Sequence, residues 1–132
     1  MRKFTIALVV GVGIASAGCG TGPSERDVVS VVQRFQDALA RRDGAAACGQ
    51  LTPSTRAAVA SDEKEPCPKA VLSLGLRGGG RVGGADVYLT NGIAHVGGEA
   101  AFLDQTAYGW RISAAGCVPT RADMPYDCEL EH

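Results

Sequence analysis

Asp86-Val-Tyr-Leu-Thr90, Asn91-Gly92 and Ile93-Ala-His-Val96 form the stretch that decides the fold. Apolar residues alternate on both sides of an Asn-Gly pair, and that combination is a strong short-range signal for a hairpin closed by a two-residue type I′ turn. Such a turn fixes the register. Thr90 should face Ile93, Leu89 should face Ala94, Tyr88 should face His95, and Val87 should face Val96. Val87, Leu89, Ala94 and Val96 then share one side of the sheet, and Asp86, Tyr88 and His95 share the other, because successive side chains in a strand alternate. Downstream, Ala100 to Gln105 predicts a third strand, Tyr108-Gly109 a turn with Gly109 left-handed, and Trp110 to Ala114 a fourth strand. The remainder, Gly116 to His132, is expected to be an irregular tail.

Upstream of the hairpin, Gly75 to Gly84 holds six glycines in ten residues, with Arg77 and Arg81 among them. A phosphate-cradling loop would need a following Gly-Lys-Ser/Thr or a strand-to-helix context, and neither is present. The segment reads as a mobile loop joining a helical half to the sheet. In that helical half, Val28, Val32, Phe35 and Leu39 recur at spacings of four, three and four, widened by Val31 and Ala38. Such spacing predicts an amphipathic helix with a core-facing stripe, opened by Ser24 as cap with Asp27 three residues on. Asp43-Gly44 breaks it. Ala45 to Leu51 predicts a second short helix, Thr52-Pro53 a capped start to a third, Ser61 to Pro66 a charged loop, and Pro68 to Leu74 another turn of helix.

The start of the chain carries an address. Arg2 and Lys3, the uncharged run Phe4 to Ile14, and Ser16-Ala17-Gly18-Cys19 have the parts of a secretory signal peptide. Small residues directly before a cysteine resemble the lipobox of bacterial lipoproteins, although Ser16 stands where leucine is usual. The expectation is a leader over 1–18, a lipidated Cys19 with a tether over 19–23, and one domain over 24–132. Within it, 24–74 is helical, 75–84 is the glycine-rich loop and 85–132 is sheet and tail. A permanent span is not expected, since the apolar run falls short of the roughly 20 residues a crossing needs. If Cys19 takes lipid, Cys48, Cys67, Cys117 and Cys128 remain, an even number in an exported chain, where disulfides are the usual state. Three pairings are open, and proximity favours Cys48 with Cys67 and Cys117 with Cys128. No two cysteines have zinc-ligand spacing and neither His95 nor His132 has a partner at such spacing, so no metal and no cofactor is expected.

Without the leader the chain keeps 11 basic and 14 acidic residues, net −3, with the charges dispersed, so no nucleic-acid partner is expected. Seven aromatic residues are too few for a carbohydrate-binding face rich in exposed rings.

Gly109-Trp110-Arg111-Ile112, Ala114-Ala115-Gly116-Cys117 and Pro125-Tyr126-Asp127-Cys128-Glu129-Leu130 resemble the C-terminal signature of small actinobacterial lipoproteins of uncharacterised function. Phe35, Ala38-Leu39, Asp43, Ala47-Cys48 and Leu51 are similar to the same group. The resemblance implies an α+β, cone-like domain similar to the nuclear transport factor two-like and cystatin-like folds. N-terminal helices would pack on a curved antiparallel sheet of about four strands. It implies no activity. Enzymes of that general shape place an Asp or His base and a Tyr or Asp donor inside an apolar cone. Asp86, Tyr88 and His95, with Asp104, are the candidates here, and the first three also form the candidate ligand face. Phe102 and Trp110 read as sheet core rather than ligand platforms. The expected function is a membrane-anchored, exported, non-catalytic lipoprotein on the outer face of the cell membrane, binding a small ligand or another envelope protein. The alternatives are an isomerase-like or cyclase-like enzyme using Asp86, Tyr88 and His95, and a structural envelope component.

Overall fold

The computed structural model describes residues 22–121 and 125–131. The leader over 1–18 and Cys19 lie outside the described residues. Among those described, no helix is long and apolar enough to cross a membrane. Four helices, α1 (Pro23–Ala40), α2 (Gly44–Gly49), α3 (Pro53–Glu63) and α4 (Cys67–Ser73), precede five strands, β1 (Val82–Tyr88), β2 (Asn91–Val96), β3 (Glu99–Thr106), β4 (Gly109–Pro119) and β5 (Tyr126–Leu130). The strands form one open antiparallel meander in the order β1-β2-β3-β4-β5. The α+β class is as expected, with one strand more.

Helix α1 buries the expected stripe: Val28, Val31, Val32, Phe35, Ala38 and Leu39 all belong to the core. Its start differs. Gly22 is the N-cap and Pro23 opens the first turn, so Ser24 lies inside the helix and Glu25 is the first-turn acid. Proline's fixed φ and missing N–H suit that first position, and they outweigh the cap that Ser24 could have offered. Of the two later caps, Thr52 on α3 is as expected, while Asp43, read only as the break after α1, also caps α2. Asp43 accepts from the Ala46 amide at 3.0 Å, and Thr52 Oγ1 accepts from the Thr55 amide at 3.1 Å. Helix α3 runs to Glu63, so the expected charged loop shrinks to Lys64, Glu65 and Pro66.

Two links hold the short helices. Cys48 and Cys67 form a disulfide from α2 to the start of α4, with Cα atoms 6.2 Å apart. Beside it the helices approach so closely that a Cβ on Gly44 would lie 1.7 Å from the Pro68 carbonyl oxygen. The helices are fixed to the sheet through β4. The Thr52 amide donates to the Ile112 carbonyl at 2.9 Å, the Ile112 amide to the Gln50 carbonyl at 2.8 Å, and Thr55 Oγ1 to the Ser113 carbonyl at 3.0 Å. Phe35, Leu51, Leu103, Ile112 and Leu130 are among the largest fully buried side chains, and with Trp110 they fill the space between helices and sheet.

The hairpin forms, but not around Asn91-Gly92. Its turn is Leu89-Thr90, two residues earlier, and Tyr88 pairs with Asn91, Val87 with Gly92, Asp86 with Ile93, Ala85 with Ala94 and Gly84 with His95. Gly92 serves packing instead of turning. It is buried, and a Cβ there would sit 3.0 Å from Val28 Cγ2 and 3.5 Å from Trp110 Cζ3, so the missing side chain lets α1 close onto the sheet. Asn91 stays in the ladder and donates to Asp104 Oδ1 at 2.8 Å. Each β1 residue therefore pairs four positions earlier on β2 than expected. An even displacement preserves faces. Asp86, Tyr88 and His95 remain together, while Leu89 leaves the core for the turn, 77% exposed and with φ +54°.

The tail is also more regular than expected. β4 continues to Pro119 and pairs with β5, with Cys117 directly opposite Cys128 and disulfide-bonded to it. Two bulges let β4 bend here: Leu103 pairs with Ile112, Phe102 with Ala114 and Ala100 with Cys117, so β4 has one residue too many in each interval, and Gly116 takes φ +64° in the second. Gly109 is left-handed as predicted, at φ +91°.

Candidate functional site

The helices cover one side of the sheet. On the other side the pairing aligns three rows across the strands: Tyr88, Asn91, Asp104 and Arg111; then Asp86, Ile93, Phe102 and Ala114; then Gly84, His95, Ala100 and Cys117. The alternate residues Ala94, Leu103 and Ile112 belong to the core, which sets these rows on the uncovered face.

All three sequence-predicted candidates lie here. They share the face without forming a constellation. Tyr88 is 78% exposed opposite Asn91, Asp86 is exposed opposite Ile93, and His95 is exposed between Gly84 and Ala100. The expected Tyr88 to His95 cross-strand pair does not form, because the turn falls two residues earlier. Asp104 is occupied by the Asn91 side chain.

Phe102 is the residue that sequence reasoning misassigned. Trp110 is core, as expected, but Phe102 stands half-buried on the uncovered face beside Ile93. The Tyr126 ring meets it edge-on, with centroids 5.1 Å apart and planes at 75°. Asp86, Tyr88, Ile93 and Phe102 line a shallow hollow of about 260 Å³. An apolar run Ala100-Ala-Phe-Leu103 gives no alternation from which to read the side of Phe102, so the sequence carried no signal for it. Cys117 and Ala100, opposite each other, are buried on this same face, and the Cys117–Cys128 bridge ties β5, which carries Tyr126, to β4, the neighbour of the strand that carries Phe102.

A second concavity, of about 660 Å³, opens between the glycine-rich loop and the β2–β3 turn, with Gln36, Arg77, Arg81, Val96 and Glu99 on its walls. The loop is pinned rather than free. Gly79 donates its amide to the Gln36 carbonyl at 2.9 Å, Gly80 to Gln36 Oε1 at 3.1 Å and Val82 to Gln33 Oε1 at 3.1 Å, while Gln33 Nε2 donates to the Gly80 carbonyl at 3.1 Å. Gly78 lies so near α1 that a Cβ would be 2.5 Å from the Ala40 nitrogen. These amides serve α1 and are not gathered around an anion. The segment also ends earlier than expected, since Val82, Gly83 and Gly84 belong to β1.

In the helical half, Lys69 Nζ lies 2.7 Å from Glu65 Oε1. That hydrogen bond, with the attraction of the carboxylate, raises the Lys69 pKa above its ordinary value. Among the described residues, no group of three or more His, Cys, Asp or Glu side chains could hold a metal ion. No family model, curated protein or solved structure matches this chain.

Proposed function

We propose that this chain is an exported, lipid-anchored domain that works by binding, and that it holds a partner protein of the cell envelope on the uncovered face of its sheet. The observation that carries the reading is the aromatic stripe there: Ile93 and Phe102 half-buried side by side, Tyr126 against Phe102, and Asp86, His95 and Asp104 at the margins. Aromatic anchors inside a polar rim are the usual composition of a protein interface. A hollow of about 260 Å³ is small for an enclosed ligand pocket, for which about 300 to 1,000 Å³ is common. The two cystine bridges suit an oxidising compartment, and the leader with Cys19 supplies the route and the anchor. Acid–base catalysis by Asp86, Tyr88 and His95 has less support, because exposed groups on an open face lack the water-excluding enclosure that such chemistry uses.

A small ligand is the second reading, favoured by the groove of about 660 Å³ beside the glycine-rich loop. Photo-cross-linking in intact envelopes tests the choice. A photoreactive side chain at His95 should capture a protein, and one at Arg56, exposed on α3, should not. Capture from Arg56 alone would refute the assignment of the face. Turnover of any bound molecule that disappears in His95→Gln or Asp86→Asn would replace binding with the isomerase-like or cyclase-like alternative.

A further inference from the structure

We propose that the end of the sheet formed by the β1–β2 and β3–β4 turns seats in the interfacial layer of the bilayer, with Tyr88, Leu89 and Tyr108 entering it; this rests on the reading of Cys19 as a lipid anchor. In an antiparallel meander the first and third turns lie at the same end. Here they are joined directly, the Gln105 amide donating to the Thr90 carbonyl at 2.8 Å.

Helix α1 starts at that end. Val28 lies against Gly92, next to the β1–β2 turn, while Gln36, two turns later, is bonded to Gly80 near the far end of β2. Gly22, six residues before Val28, is therefore about 9 Å further toward the turns at about 1.5 Å of rise per residue. Three residue steps separate Gly22 from Cys19, and they span at most about 11 Å when fully extended. A lipid on Cys19 would keep this end of the domain within that distance of the membrane.

The surface at that end matches such a neighbour. Tyr108 at 80%, Tyr88 at 78% and Leu89 at 77% are the three most exposed large apolar residues described, and all three lie there. Tyrosine is enriched at membrane–water interfaces because its ring is apolar and its hydroxyl stays wet. Leu89 stands in water on a left-handed backbone that leucine disfavours, and it gains nothing from the core in return. The turn residues Leu89-Thr90 and Thr106-Ala107-Tyr108-Gly109 carry no charge, while Asp104 and Arg111, in the same row as Tyr88, limit the depth of entry to the headgroup level, where ions keep their water.

The test uses the full lipidated protein reconstituted into phosphatidylglycerol and phosphatidylethanolamine vesicles, with Tyr108→Trp as reporter and Tyr126→Trp as control, each emission taken as the difference from the wild-type protein, whose Trp110 is buried. The expected result is a blue shift of the Tyr108→Trp emission and its quenching by brominated lipids, with no quenching of Tyr126→Trp. Emission typical of water, in protein that sediments with the vesicles and carries lipid mass on Cys19, would overturn the seating alone. A blue shift without bromolipid quenching would mean that protein covers the turns, and would overturn it too. Absence of lipid on Cys19 would overturn the anchor and the seating together.

Discussion

Replacing Leu89 by glycine should stabilise the domain. Leu89 occupies the β1–β2 turn at φ +54° and is 77% exposed, so its side chain contributes little burial while its backbone sits where a Cβ is unfavourable. Relieving that conformation is worth about 1 to 2 kcal/mol. Glycine gives back about 0.5 to 1 kcal/mol through the greater freedom of the unfolded chain. The net gain is about 0.5 to 1 kcal/mol, which for a domain of this size raises Tm by about 2 to 5 °C. Calorimetry with both disulfides oxidised measures it. An Asn91-Gly92 turn would instead put Leu89 on the core face, where truncation costs about 2 to 5 kcal/mol. The two registers thus predict opposite signs, and a fall in Tm of several degrees would refute the pairing of Tyr88 with Asn91. If the turn also meets a membrane, the wild-type leucine sacrifices stability for contact.

Gly44→Ala should destabilise by about 1 to 3 kcal/mol or more, because its Cβ would fall 1.7 Å from the Pro68 carbonyl oxygen and α2 would have to leave α4; denaturant unfolding reads the loss. Removing the Cys48–Cys67 bridge with paired alanines should cost about 3 kcal/mol, the loop-closure value for a 19-residue separation, and peptide mapping of the untreated protein should find only local pairs. Thr55→Val should cost about 1 to 3 kcal/mol by taking the hydroxyl donor from the Ser113 carbonyl, measured the same way.

The helical half was legible because its signals were local. The stripe from Val28 to Leu39 has helical spacing, and Thr52-Pro53 combines a cap with a residue suited to the first turn. The hairpin was legible in kind but not in register. Gly92 carries the same sequence signal whether it turns the chain or admits Val28, and only the tertiary contact decides. The bulge at Gly116 and the pairing that places Cys117 opposite Cys128 depend on strands far apart in sequence, so β5 looked like tail. Asp86, Tyr88 and His95 were correctly grouped because the displacement was even. Phe102 and Tyr126 meet only through the bent β4 and the β5 pairing, which no local pattern records.

Binding through the uncovered face stands or falls on the effect of Phe102→Ser on capture from His95. Phe102 is half-buried on the uncovered face and outside the main core. Its loss should leave the domain folded and exported, yet remove the aromatic anchor. The cross-linked adduct should disappear while the protein level in the envelope is maintained. An undiminished adduct from folded Phe102→Ser protein would contradict binding through this face.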